Sequence, residues 1–196
     1  MEWIYKQLPS HPAIPVLMEC LASKAPFPEP LANILVQRGI ENFEAAKDYL
    51  KPPRSEFHSP WLLKDMDKAA KRILKAIAEK EKVIIYGDYD VDGTTSVTLL
   101  TLFFREWGID FEYYIPDRYT EGYGISYQGV DYAAENGAKL VIALDCGTKA
   151  VDNINHGQVR GVDFIVGDHR TPGSERPPTA ALINPLQNGC NYPFKY

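Results

Sequence analysis

Acidic residues follow three separate apolar stretches of this sequence, each at the point where the stretch ends. The first stretch leads into the loop GDYDVDG (87–93), the second into DCGT (145–148) and the third into GDHR (167–170). Carboxylates gathered in one crevice would repel one another unless a cation compensated them. Oxygen-rich sites with one imidazole suit Mn²⁺ or Mg²⁺. The candidate metal ligands are Asp88, Asp90, Asp92, Asp145 and His169.

A carboxylate that bridges two divalent ions about 3.5 to 4 Å apart is typical of phosphoryl-transfer sites, so the pattern favours phosphate-ester chemistry. Three other interpretations compete. The Asp-x-Asp-x-Asp-Gly spacing also occurs in calcium loops, but Leu99 and its neighbours are apolar where such a loop needs a bidentate glutamate. Taken alone, Asp145 could be a helix N-cap and His169 a turn residue.

The third competitor is a nucleophilic aspartate. The stretch DVDGT (90–94) matches the signature of haloacid-dehalogenase-type phosphatases, in which the first aspartate is the nucleophile and the second a general acid. Against this, the residues GDY (87–89) displace the pair from the strand end, and GDHR is not the closing acidic pair of that family.

The elements that carry these residues alternate between strands and helices. Apolar runs predict strands over Lys82–Tyr86, Phe111–Ile115, Leu140–Leu144 and Phe164–Val166. Helical periodicity, capping residues and glycine stops predict helices over 65–79, 94–107, 126–136 and 150–155. This alternation indicates an α/β fold with a parallel sheet and helices on both faces. In such a sheet the ligand site lies beyond the carboxyl ends of the strands, where the acids are.

A different pattern precedes the sheet. Prolines are concentrated in the first sixty residues and limit that part to turns and short helices, predicted at Leu31–Arg38 and Asn42–Leu50. The predicted organisation is therefore a helical, proline-rich lead-in over residues 1–64 and an α/β domain over 65–196.

Composition narrows the function classes. A 45% hydrophobic content in 196 residues excludes disordered and fibrous proteins. No apolar run approaches the length of a membrane helix, and the N-terminus lacks a secretory pattern, so we expect a cytoplasmic protein without membrane contact.

Three cysteines without a C-x-x-C pair indicate reduced thiols. A net charge of −5 provides no general attraction for nucleic acid, so a polyanion must be held locally.

Four motifs occur in a fixed order: YGDYDVDGTTSV, IPDRYTEGYGIS, IALDCGTKA and FIVGDHRTPG. In composition and spacing they resemble the DHH phosphoesterase domain of the RecJ single-strand-specific exonucleases. The segments LANILVQRGI, FEAAKDYLKP, PPTAALINP and YPFKY also resemble that family, so the resemblance covers nearly the whole chain. It implies a 5′ to 3′ exonuclease on single-stranded DNA that uses Mn²⁺ or Mg²⁺ and serves DNA repair and recombination.

The resemblance also implies a two-metal site. Asp90 and Asp92 would each hold one ion, Asp145 would bridge the two ions, and His169 would complete the second. Asp88 lies next to this set. Two ions of this kind lower the pKa of an attacking water and stabilise the leaving oxygen.

Four further residues receive catalytic or substrate-binding roles. By resemblance, Asp168 orients His169, and Arg170 stands where the family has a second histidine that faces the scissile phosphate. A guanidinium binds phosphate but does not transfer a proton at neutral pH, so Arg170 suggests altered activity. In the loop before the third predicted helix, Arg118 is expected to contact a phosphate and Tyr123 a base.

The sequence stops at Tyr196, where the family continues with another metal-binding aspartate and further DNA-binding domains. We therefore expect an N-terminal fragment, weak or inactive alone, whose partners are single-stranded DNA and the missing C-terminal domains. Two alternatives stay open. One is a catalytically degenerate nucleic-acid-binding module; the other is a DHH enzyme for short oligonucleotides, cyclic dinucleotides, pyrophosphate or polyphosphate.

Overall fold

The computed structural model describes residues 11–23, 25–52, 55 and 57–194, which fall into two compact units, Met1–Phe57 and His58–Tyr196. The described part of the first unit holds α1 (Ala13–Cys20), α2 (Glu29–Gln37) and α3 (Phe43–Leu50). The two helices predicted here are confirmed. Helix α1 was missed because of its prolines, yet Pro12 precedes it and Pro15 lies in its first turn, where no N–H donor is required.

The second unit is built on a five-stranded sheet in which every neighbouring pair is parallel. The strands are β1 (Val83–Gly87), β2 (Phe111–Tyr114), β3 (Leu140–Leu144), β4 (Asp163–Gly167) and β5 (Ala181–Ile183), and their order across the sheet is β2-β1-β3-β4-β5. The predicted α/β fold with a parallel sheet is confirmed. The chain leaves β1 toward one edge and later returns to β1's other side, so strand order reverses between β1 and β3.

Helices cover both faces of this sheet. They are α4 (Met66–Ala78), α5 (Val91–Glu106), α6 (Tyr127–Glu135) and α7 (Val151–Val159). Alternate residues of β1 point into different cores: Ile84 belongs to the cluster with α6 and α7, and Ile85 to the cluster with α4 and α5. All five residues of β1 are buried, as expected for the central strands of a covered parallel sheet.

Strand β5 was not predicted. It is only three residues long and follows Pro177 and Pro178, so neither its length nor its context gives a strand signal, and its pairing with β4 supplies the missing information. Every helix in the described part of the chain is too short or too polar to span a bilayer.

Asp65, which precedes α4, is a buried carboxylate with two cationic partners. It accepts hydrogen bonds from Lys68, at 2.7 Å, and from Arg176, in the segment between β4 and β5. Burial alone would raise the pKa of Asp65, but these partners lower it on balance. An aspartate of this kind stabilises the fold above its unfolded pKa of about 3.9 and loses that contribution as pH falls through the folded value.

We therefore expect Asp65→Asn to lower the free energy of unfolding at pH 7 by about 1–3 kcal/mol, because two cations lose their anion. Asparagine tolerates the positive φ of 66° at this position, so the change isolates the charge. Urea unfolding at pH 7 and pH 3 measures the effect, which should be smaller at pH 3, below the unfolded pKa of about 3.9. Asp67→Asn, at an exposed neighbour, is the control and should change little. An equal loss at both pH values would contradict a charge effect.

Candidate metal centre

The loop after β1 turns back sharply on itself to begin α5. Asp90 caps this helix, and its Oδ1 accepts the N–H of Gly93 at 2.9 Å. The helix therefore starts at Val91, three residues before the predicted start at Thr94. The turn depends on Gly93, since a Cβ atom at that position would lie 2.3 Å from the backbone oxygen of Asp88. The motif thus places three aspartates within one tight strand-to-helix connection.

Three of the predicted ligands come together at the carboxyl edge of the sheet. Asp92, Asp145 and His169 each offer one ligand atom, and these atoms lie within 4.8 Å of one another. Nε2 of His169 is 3.1 Å from Oδ1 of Asp145. The three residues belong to the first turn of α5 and to the loops after β3 and β4. Asp88 and Asp90 lie outside this group.

Asp145 is the buried member of the group. Its side chain is 6% exposed, its backbone has a positive φ of 59°, and its Oδ2 accepts no hydrogen bond from the described residues. Burial, followed by the negative charge of Asp90, raises the pKa of Asp145 to about 6. A desolvated carboxylate oxygen with no donor is costly, and a cation is the compensation that such a site accepts.

Asp88, in the loop after β1, also has a buried carboxylate oxygen without a hydrogen bond in the described structure. It is fully buried, its Oδ1 accepts the N–H of Tyr89 at 2.8 Å, and its Oδ2 lacks a hydrogen bond in the described structure. Burial raises the pKa of Asp88. The unsatisfied oxygen of Asp145, together with Asp92 and the imidazole of His169, forms a donor set that fits Mn²⁺ or Mg²⁺, and Asp88 lies outside that set.

Arg170 lies against Asp90 and Asp145, whose carboxyl groups also contact each other. Its Nη1 donates a hydrogen bond of 2.8 Å to the backbone oxygen of Asp145. Its Nη2 lies 3.7 Å from Oδ2 of Asp90 and 3.6 Å from Oδ2 of Asp145. The N–H of Gly93 and the charge of Arg170 both contribute to lowering the pKa of Asp90. The guanidinium is therefore a positive charge built into the acidic cluster.

The predicted substrate-binding residues form a short series of aromatic and cationic side chains beside this cluster. The guanidinium of Arg170 lies over the ring of Tyr123, 4.4 Å from its centroid, and that of Arg118 lies 5.2 Å from the centroid of Tyr89. The two tyrosines meet edge to face at 6.0 Å. Sequence reasoning did not single out Tyr89, although it lies inside the first motif.

Asp168 shapes the loops and does not contact the ring of His169 through a hydrogen bond in the described structure. Its Oδ1 accepts the backbone N–H groups of His169, at 2.8 Å, and Arg170, at 3.1 Å. Its Oδ2 accepts the N–H of Thr148 at 3.0 Å. Asp168 thereby joins the loops after β3 and β4 and fixes the backbone from which His169 projects.

A buried amide that the sequence analysis missed supports the same loops. Nδ2 of Asn184, directly after β5, donates to Oγ1 of Thr148 at 3.0 Å and to the backbone oxygen of Arg170 at 2.8 Å. Asn184 is fully buried. Both residues lie inside motifs that were recognised, DCGT and LINP, but nothing in their spacing indicated that they meet.

Two open cavities flank the centre. One, of about 390 Å³, is lined by Tyr123, Lys149 and Arg170. The other, of about 460 Å³, is lined by Asp92, Asp145 and His169. The candidate ligands Asp92, Asp145 and His169 thus line one cavity, and Arg170 lines the other.

Comparison with known protein families and sequences finds a match to one family and to several of its members. The family described as "DHH family, N-terminal domain" matches residues 82–192. The single-stranded-DNA-specific exonuclease RecJ of Bacillus subtilis is 40% identical over 165 residues, which are 84% of this chain and 21% of that protein. RecJ of Escherichia coli is 33% identical over 173 residues, or 87% of this chain and 29% of that protein.

Solved structures show the same likeness. An exonuclease RecJ bound to manganese superposes with a TM-score of 0.64 at 29% identity, covering 71% of this chain and 35% of that one. RecJ of Thermus thermophilus in complex with Mn²⁺ gives a TM-score of 0.61 at 26% identity, covering 84% of this chain and 22% of that one. The chain spans less than a third of the length of the curated relatives named above.

Proposed function

This chain belongs to the DHH family, and from that membership we propose that it carries the metal-binding centre of an exonuclease that hydrolyses single-stranded DNA from the 5′ end. The observation that carries the proposal is the convergence of Asp92, Asp145 and His169 within 4.8 Å at the carboxyl edge of a parallel sheet. The RecJ relatives and the manganese-bound RecJ structure support the choice of reaction.

We propose Mn²⁺ or Mg²⁺ as the metal, held by Asp92, Asp145 and His169. When bound, such an ion polarises a phosphoryl oxygen and makes water a better nucleophile at neutral pH. Asp168 serves as a positioning residue, because its hydrogen bonds to backbone N–H groups fix the loop that carries His169.

The cationic residues beside the metal ligands are proposed to receive the substrate. Arg118 and Arg170 offer guanidinium groups that can bind phosphate oxygens, and the rings of Tyr89 and Tyr123 hold these groups at an edge that is open to solvent. The chain carries a net charge of −5 and does not attract DNA phosphates along its whole surface. We propose that sequence outside this chain supplies the extended contacts with a DNA strand. We also propose a cytoplasmic location, which the few, widely spaced cysteines of the sequence support.

A second candidate function is a catalytically degenerate nucleic-acid-binding module. Arg170 favours it, because an arginine cannot exchange a proton at neutral pH and lies against two carboxylates of the centre. The two candidates differ in whether the chain breaks a phosphodiester bond, and this difference can be measured without a bound strand.

We expect the chain to hydrolyse bis(p-nitrophenyl) phosphate slowly and only with Mn²⁺ or Mg²⁺, since this activated phosphodiester needs no binding groove. Release of p-nitrophenolate is the measurement. A 5′-labelled oligonucleotide, single-stranded or annealed, tests polarity and strand preference, and we expect slow, non-processive release of nucleotides from the single strand alone. Asp110→Asn, at an exposed acid before β2, is the control. Metal binding without hydrolysis of either substrate would favour the degenerate module.

A further inference from the structure

We propose that the guanidinium of Arg170 takes the place of one of two divalent cations, so that this centre binds a single Mn²⁺ or Mg²⁺ ion, at Asp92, Asp145 and His169. The inference rests on the proposed function, because it concerns the metal content of that same site. It departs from the two-ion arrangement that the sequence resemblance implies.

The guanidinium of Arg170 lies close to two carboxylates of the centre. Nη2 of Arg170 faces Oδ2 of Asp90 at 3.7 Å and Oδ2 of Asp145 at 3.6 Å. A second ion held by Asp90 and Asp145 would have to lie beside this guanidinium. The carboxyl groups of Asp90 and Asp145 also contact each other, and the guanidinium lies against both, so its positive charge already compensates part of their negative charge.

Both the side chain and the backbone of Arg170 are held in place by neighbouring residues. Its Nη1 is bonded to the backbone oxygen of Asp145, and its guanidinium stacks on Tyr123 at 4.4 Å. Its backbone N–H donates to Asp168, and its carbonyl accepts from the buried Asn184. Because contacts hold both its guanidinium and its backbone, moving Arg170 out of the centre would cost more free energy than moving an unrestrained surface arginine.

Asp90 is separate from the three residues that form the candidate metal site. Asp92, Asp145 and His169 form a compact group, and Asp90 lies outside it. Oδ1 of Asp90 is used to cap α5 through Gly93, and its Oδ2 faces Arg170. Asp90 is thus engaged with the helix and the guanidinium. The buried Oδ2 of Asp145 accepts no hydrogen bond from the described residues, although Nη2 of Arg170 lies 3.6 Å away.

The positive charge of Arg170 opposes a second cation. A second divalent ion would have to bind next to this guanidinium, against electrostatic repulsion. The centre should therefore saturate with one ion, and removal of this charge should open the second position.

Titration of the chain with Mn²⁺ in a calorimeter tests the proposal, with low-temperature electron paramagnetic resonance as the second readout. We expect about one ion for the wild-type chain and about two for Arg170→His, whose second ion binds at least ~10-fold more tightly than any second ion in the wild type. The spectrum should change from that of an isolated Mn²⁺ to that of an exchange-coupled pair. Arg170→Gln removes the charge without adding a ligand and should show an intermediate gain in affinity.

Lys149→Gln is the matched control. Lys149 is exposed and lines the same cavity as Arg170, yet it forms no ion pair with Asp90 or Asp145 in the described structure. This control should leave the stoichiometry at about one ion. Circular dichroism verifies that each variant is folded.

The number of bound Mn²⁺ ions decides whether Arg170 replaces an ion, and binding of any Mn²⁺ decides whether the metal centre exists. Two coupled ions in the wild-type chain would overturn the role of Arg170 and leave the proposed metal centre intact, even if a variant failed to fold. One ion in both the wild type and the Arg170 variants would overturn it as well. Absence of Mn²⁺ binding in every protein would contradict both the inference and the proposed function.

Discussion

Replacement of Asp145 by asparagine is expected to weaken Mn²⁺ binding by about 10²-fold or more and to lower the rate of phosphodiester hydrolysis by about 10² to 10³-fold. Asp145 is the buried carboxylate of the centre, and its Oδ1 lies 3.1 Å from Nε2 of His169. An asparagine supplies one neutral oxygen and places an NH₂ group where the second oxygen was, so it offers a cation neither the charge nor the second contact.

Calorimetry with Mn²⁺ and the p-nitrophenolate assay measure the two effects of Asp145→Asn. The variant should remain folded, because the change removes a buried charge that has no hydrogen-bond donor on one oxygen. Asp110→Asn is the control, since Asp110 is exposed at the start of β2, away from the carboxyl edge. Mn²⁺ affinity equal to that of the wild type in a folded Asp145→Asn protein would remove Asp145 from the ligand set.

Gly93→Ala is expected to lower the free energy of unfolding by about 3 kcal/mol, although alanine is ordinarily the better helix former by about 1 kcal/mol. The added Cβ atom would lie 2.3 Å from the backbone oxygen and 2.6 Å from the backbone nitrogen of Asp88. Both are main-chain atoms and cannot rotate away. The loop that carries Asp88, Asp90 and Asp92 must shift, and Mn²⁺ binding should weaken with it.

Urea unfolding measures the effect of Gly93→Ala, and Gly173→Ala is the matched control. The nearest atoms to a Cβ at Gly173 lie 3.7 Å away, an ordinary contact distance, so this change should stay within about 0.5 kcal/mol of the wild type. A Gly93→Ala protein that is as stable as the wild type, or more so, would show that helix propensity outweighs the close approach.

The sheet and its edge were predictable because both depend on patterns that are local in sequence. The bounds of β3 agree with the prediction at both ends, and Ser126 caps α6 through Gly129 as its residue type indicated. The convergence of Asp92, Asp145 and His169 followed from a general rule about parallel sheets. The match to the DHH family also covers the DVDGT stretch that the sequence left open to a phosphatase interpretation.

The contacts of Arg170 were not predictable, because they join positions that are distant in the chain. Its stacking on Tyr123 and its contacts with Asp90 and Asp145 depend on how three loops meet in space. The expected contact of Tyr123 with a base is a proposal that must now allow for the guanidinium over its ring. For the same reason, no sequence pattern revealed the hydrogen bonds between Asn184, Thr148 and the backbone of Arg170.

The all-parallel sheet also bears on how the second unit folds. Parallel neighbours cannot be joined by a tight turn, so Val83 of β1 must find Phe111 on one side and Leu140 on the other before a central three-stranded core exists. Such distant pairings slow folding and leave hydrophobic strands exposed in the meantime. Asp92, Asp145 and His169 follow three different strands, so the proposed metal ligands come together only after β1, β3 and β4 have paired.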